Sequence, residues 1–385
     1  MNHILKCVDI VKTDFVRGEN SYLYDSQGKR YIDFESGSWA NVLGNSHPRI
    51  NRVMHENIEK VIHLGIKYPN ELAEGAAVAI IGILGMDQGK CLFLSSGSEA
   101  VEFGVLAAKR VTEKPLFLTF TNSFLSSYGS AGRKSTDEWY LLDWDDCSHK
   151  EQSEYLKNIP FERIGAFVFE PGGSGIGFVR FPPKQIVQDI AKRVKQAGGL
   201  IVVNEITTGM GRTGKWFGFQ HYDIQPDIVA LGKGLGNGYP VSAITLKQNV
   251  AEILEERGFH YAQSHQNDPL GCAVAREVIA VLREEKWIEK GNVLGAYFLD
   301  GLKILQKKYA VLKEARGRGM LLALEFHPHE TISVAWAYHE LMDKGFLVRH
   351  YTEGRILRFD PSLNIEKESI TNLLDGIDAI LKTAG

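Results

Sequence analysis

The chain has 385 residues, with 44 basic and 47 acidic side chains, a net charge of −3 and 44% hydrophobic residues. That length holds a large domain with a smaller one, or two similar domains, and the composition excludes a disordered chain. The balanced charge gives no reason to expect nucleic acid or an anionic membrane as partner, and the longest apolar run, Ala76–Met86, is too short for a bilayer at 11 residues.

The opening residues, MNHILKCVDIVKTDF, spread charge among apolar positions and lack the core of a signal peptide, so a cytoplasmic protein is expected. The four cysteines (Cys7, Cys91, Cys147, Cys272) are scattered. They read as free thiols, and with no CxxC or His/Cys cluster at ligand spacing no metal is expected. Short strand-like pieces and the turn signal DSQGKR (Asp25–Arg30) fill the first 45 residues, which are expected to pack with the C-terminal part.

From roughly residue 50 to 260, apolar runs alternate with amphipathic stretches. The runs are Cys91–Ser96, Pro115–Thr121, Trp139–Trp144, Ile164–Pro171, Leu200–Glu205, Asp227–Gly232 and Pro240–Leu246. Several are continuously apolar, the mark of strands covered on both faces. Ser98–Val111 and Lys184–Gln196 carry apolar residues at helical spacing. The expected fold is α/β, with a mostly parallel sheet between helices. Asp268–Glu285 reads as a long helix, and the segments LLALEFHP, GFLVRH and RILRF beyond it as strands of a smaller α+β domain. The expected organisation is 1–48 as an N-terminal segment packing with the small domain, 49–270 as the large domain, and 271–385 as the small domain.

Four stretches carry candidate chemistry. In SSGSEAVE (Ser95–Glu102) a strand runs through a glycine turn into a helix, an arrangement whose free N–H groups bind anions; Ser98 also reads as an ordinary helix cap. In VNEITTGMGRTG (Val203–Gly214) the glycines match GxGxxG, but three residues separate them from the strand and no crossover helix follows, so a dinucleotide site fails on context. The polar pair Asn204 and Glu205 ends an apolar strand, where ligands sit in open α/β sheets. In DIVALGKGLGNGYPVSAI (Asp227–Ile244) a single lysine, Lys233, precedes three glycines. Partial desolvation of such an amine makes it a nucleophile toward carbonyls. In ILRFDPSL (Ile356–Leu363), Arg358 within an apolar strand requires an anion, either a structural carboxylate or that of a substrate.

Together and in this order, these stretches resemble the class III aminotransferases of the fold-type I pyridoxal-phosphate enzymes, from Tyr22 to Pro361. The resemblance implies pyridoxal 5′-phosphate as cofactor, held by Lys233 as a Schiff base. It implies Gly97 and Ser98 at the phosphate, Phe124 stacked on the pyridine, Glu205 beside the cofactor, and Glu170 in the family's EP motif. Arg358 would bind a substrate carboxylate and Trp39 would line the substrate entrance. Ser264 stands where the family reaches the phosphate of the neighbouring subunit, which implies a homodimer with shared active sites. The compact length is similar to the acetylornithine and ornithine branch. Three departures stand out: Asn204 replaces the family's aspartate at the pyridine nitrogen, Leu125 a frequent histidine, and Gln266–Asp268 its GGN. A neutral amide cannot hold a proton on the ring by charge, a loss of about 2–4 kcal/mol of transition-state stabilisation.

The expected reaction moves an amino group from an amino acid or amine to a 2-keto acid such as 2-oxoglutarate. The alternatives are a racemase, epimerase or lyase on the same scaffold, or a weakly catalytic cofactor-binding paralogue.

Overall fold

The seven apolar runs form one sheet. In this computed structural model, which describes residues 3–8, 10–144, 156–172 and 178–384, three strands come first: β1 (Phe15–Glu19), β2 (Tyr22–Asp25) and β3 (Arg30–Asp33). The sheet strands follow as β4 (Lys90–Leu94), β5 (Leu116–Phe120), β6 (Trp139–Leu142), β7 (Ile164–Phe169), β8 (Leu200–Asn204), β9 (Ile228–Leu231) and β10 (Ser242–Leu246). Their order across the sheet is β4-β10-β9-β8-β7-β5-β6. Only β10 runs antiparallel to its neighbours, so the carboxyl ends of the other six strands share one edge.

Helices cover both faces, which explains the continuous apolar runs. Residues alternate between the two sides along each strand. On β8, Leu200 and Val202 join the core under helix α1 (Gly97–Thr112), while Ile201 and Val203 join the core against helix α2 (Lys184–Gln196).

Beyond helix α3 (Pro269–Glu284) and helix α4 (Trp287–Lys308), strands β11 (Leu312–Arg318), β12 (Leu321–Phe326), β14 (Arg349–Tyr351) and β15 (Ile356–Phe359) make a third, antiparallel sheet in the order β11-β12-β15-β14. The run GFLVRH, expected as one strand, is two: β13 (Phe346–Leu347) leaves this sheet and pairs in parallel with β3. The first residues of the chain are thus sewn to its last third by backbone hydrogen bonds. Helix Glu71–Leu84 contains most of the longest apolar run, and among the described residues no helix is long and apolar enough to cross a membrane. Cys7, Cys91 and Cys272 are free thiols, while Cys147 lies outside the described residues.

Candidate active site

Because β4, β5, β7, β8 and β9 end at one edge, the residues that follow them meet there: Gly97, Phe124, Glu170, Asn204 and Lys233. Close packing of small residues sets the approach. A Cβ on Gly97 would sit 2.8 Å from Ile206 Cγ2, and one on Gly232 would meet Ile206 Cδ1 at 3.1 Å. Neither position has room for a side chain without displacing Ile206, so the turn before α1 lies directly against the turn that carries Lys233.

Lys233 itself adopts a left-handed backbone (φ 46°), an uncommon state for a residue with a Cβ and one concentrated at functional sites. Burial pushes its amine down to about 8; Glu170 opposes that shift, and Arg358 adds to it. Its Nζ stands 4.5 Å from the centre of the Trp39 ring, while the Arg358 guanidinium stacks on the same indole at 3.5 Å. Trp39 ends a run of left-handed residues, Ser36 to Trp39, that turns the indole into this position.

The turn at α1 is divided between a cap and an open end. Ser96, not Ser98, is the cap: its hydroxyl accepts the Glu99 N–H (3.3 Å), and the Glu99 carboxylate accepts those of Ser95 and Ser96 (3.1 and 2.7 Å). The N–H groups of Gly97 and Ser98, first in the helix, take no part in this box. They lie at the turn that packs against Gly232, the residue before Lys233, with the positive end of the helix dipole behind them. Ser98 Oγ accepts the Ser127 N–H at 3.0 Å.

Phe124 is held by its backbone. Its N–H donates to Glu170 (3.0 Å) and its carbonyl accepts from the Asn204 amide (3.1 Å), while the residue as a whole stays 47% exposed. Asn204 Oδ1 accepts the Ile206 N–H at 3.1 Å. These two backbone partners determine the orientation of the amide, since a carbonyl requires the NH2 and an N–H requires the oxygen. One Nδ2 hydrogen remains. Glu170 is buried, and burial pushes its carboxyl up to about 8, against the attraction of Lys233.

Not every expected residue joins this group. Both oxygens of Glu205 are turned away, accepting the N–H groups of Gly218 (2.8 Å) and Phe219 (2.7 Å) and the Thr208 hydroxyl (2.7 Å). Successive residues at a strand end point to opposite faces, so with Asn204 facing the edge Glu205 anchors the loop behind it. Ser264 lies in an exposed turn. Arg358 is 1% exposed, and its Nε donates to the buried Asp360 at 2.7 Å while Nη1 donates to the Tyr351 hydroxyl. The two readings of this arginine are therefore not exclusive: a structural carboxylate is present, and Nη2 takes no part in these two bonds. Asp360 was legible as a partner, because residues two apart on a strand share a face. Sequence reasoning passed over it, together with Tyr351 and Thr207, whose hydroxyl donates to Glu170 at 3.4 Å.

A family model, Aminotransferase class-III, matches residues 6–127 and 130–381. The chain belongs to the class III aminotransferase family. Its relatives include an acetylornithine aminotransferase of Aquifex aeolicus, 30% identical over 99% of this chain and 100% of that one. A leucine/methionine racemase of Thermococcus litoralis is 26% identical over 94% and 89%. Among solved structures, an ornithine aminotransferase from Toxoplasma gondii, with pyridoxal phosphate at partial occupancy in its active site, superposes with a TM-score of 0.87 at 26% identity, covering 98% of this chain and 93% of that one. Class III aminotransferases use pyridoxal phosphate, and the residues gathered here fit it: an amine of depressed basicity, two open helix N–H groups, an exposed ring and a spare amide hydrogen.

Proposed function

We propose that this aminotransferase takes the amino group of an amino acid of the ornithine or acetylornithine class and passes it to a 2-keto acid, as a homodimer. The observation that carries the reading is the desolvated Lys233 amine beside the open N-terminus of α1. Pyridoxal phosphate supplies, when bound, an aldehyde for imine exchange and a ring that acidifies the C–H beside the donated amine.

The protein does the rest. Lys233 would hold the cofactor through Nζ, and its free amine would accept the proton from the donor carbon that bears the amino group. Gly97 and Ser98 N–H groups would hold the phosphate, and Phe124 would cover the ring. The Asn204 amide has one hydrogen left to offer the pyridine nitrogen, and Arg358, backed by Asp360 and Trp39, would orient a carboxylate. Ser264 would complete the phosphate site of the second subunit.

A second reading, racemisation, is favoured by one observation. The amide at position 204 is neutral and oriented, which weakens the electron sink that transfer requires, and one full-length relative is a racemase. Purified enzyme given leucine deuterated at Cα, ornithine deuterated at Cα and Cδ, or N-acetylornithine deuterated at Cδ, the carbon that bears its free amine, each with 2-oxoglutarate, separates the two. Transfer predicts glutamate formed in step with deuterium loss; deuterium loss without keto product would establish the second reading. Asn204→Asp belongs beside it, and transfer limited by the neutral amide predicts a gain of more than tenfold, at the lower end of the decades such a charge is worth.

A further inference from the structure

Two histidines 202 positions apart in the chain meet on one carboxylate away from Lys233. His63 Nδ1 lies 2.7 Å from one oxygen of Asp268, and His265 Nδ1 lies 2.6 Å from the other. The rings sit 4.6 Å apart, and one donor atom from each of the three residues falls within 4.8 Å of the others. We propose that His63, His265 and Asp268 form a binding site for Zn2+ or a similar first-row divalent ion.

The local structure supports a built site. Asp268 is the residue before the first turn of α3, where an aspartate ordinarily caps the helix, yet its side chain makes no capping bond and faces the two imidazoles instead. The loops that carry the ligands are tied to each other and to the sheet. Asn70 donates to the Asn267 carbonyl (2.9 Å), while Asn267 exchanges bonds with Phe93 (3.0 and 2.9 Å). Gln263 orients the His265 N–H and reaches Glu99 in the capping box of α1. Two imidazole nitrogens and one carboxylate oxygen are a common catalytic-type zinc set, closing to about 2.0–2.2 Å and leaving a fourth position open. A cavity of about 250 Å³ adjoins the cluster, lined by His265 and Asp268 together with Ser95 and Tyr239. With a metal on Nδ1, each ring carries its proton on Nε2, so neutral histidines bind without giving one up. An ion here would pin the loop bearing Ser264 to the segment before Glu71–Leu84.

The test uses chelator-treated holoenzyme titrated with Zn2+ by calorimetry and with Co2+ by visible absorption. The proposal expects one ion per chain and a thermal midpoint that rises with Zn2+. The double variant His63→Ala/His265→Ala should lose more than the ~10–100-fold typical of removing an outer-shell partner. Asp268→Asn, which keeps the side chain's shape, should also weaken binding, and circular dichroism shows that both variants are folded. No stoichiometric binding in the wild type, or equal binding by the folded variants, overturns it.

Discussion

Lys233 looks, as a sequence feature, like any lysine before a glycine loop; its environment separates it from the rest. Burial lowers its amine from 10.5 to about 8, so the neutral nucleophile makes up roughly a tenth of the population at pH 7 rather than a trace. The sign is clear: cofactor uptake by apoenzyme should accelerate as pH rises and level off above a midpoint near 8, more than two units below that of an ordinary lysine. The ionised fraction of Glu170 favours the charged amine, so Glu170→Gln should move the midpoint slightly lower. Stopped-flow absorbance against pH measures both, and a midpoint near 10 would show the amine to be solvated. Gly97, Asn204 and Lys233 itself were legible from the strand ends, whereas Phe124, Glu170 and Trp39 came only from the family resemblance. What was not legible is which way each side chain points: Asn204 and Glu205 are adjacent in sequence and opposite in use, because the pleat sends one to the site and the other to a loop.

Among elements, that loop has a definite dependence on Glu205. Three buried donors, the N–H groups of Gly218 and Phe219 and the Thr208 hydroxyl, converge on its carboxylate. Glu205→Ala leaves all three without an acceptor and should lower stability by roughly 2–4 kcal/mol, read as a shift of the urea midpoint. Cofactor uptake per folded molecule should hardly change; a large loss of uptake with unchanged stability would return Glu205 to the cofactor. The strands themselves were readable, since residues buried on both faces leave unbroken apolar runs, and all seven runs became sheet strands. Their lateral order was not, nor the reversal of β10, because neighbours across a sheet are far apart in sequence. The split of Phe346–Tyr351 between two sheets escaped for a related reason: the apolar run does not break where the hydrogen-bond partners change.

The whole molecule carries one feature that a single copy does not explain. Ile58, Val61, Ile62, Ile66 and Tyr68 are all large, apolar and exposed within one stretch, next to the loops that bear Ser264 and His63. Scattered exposed hydrophobics need no explanation, whereas a contiguous run of them marks an interface. Ser264 is exposed in its turn, and the role that the family resemblance gives it at the neighbouring subunit's phosphate requires a second copy. Sedimentation should therefore give twice the 43.0 kDa chain mass. Ile62→Glu/Ile66→Glu would bury unpaired charge in that interface at a cost of about 3–5 kcal/mol, shifting the dimer equilibrium toward monomer by two to four decades. If Ser264 serves the neighbouring subunit, the same variant should bind pyridoxal phosphate more weakly, because each phosphate site would lose the partner's hydroxyl. A double variant that becomes monomeric and keeps full cofactor affinity would show that each subunit builds its site alone.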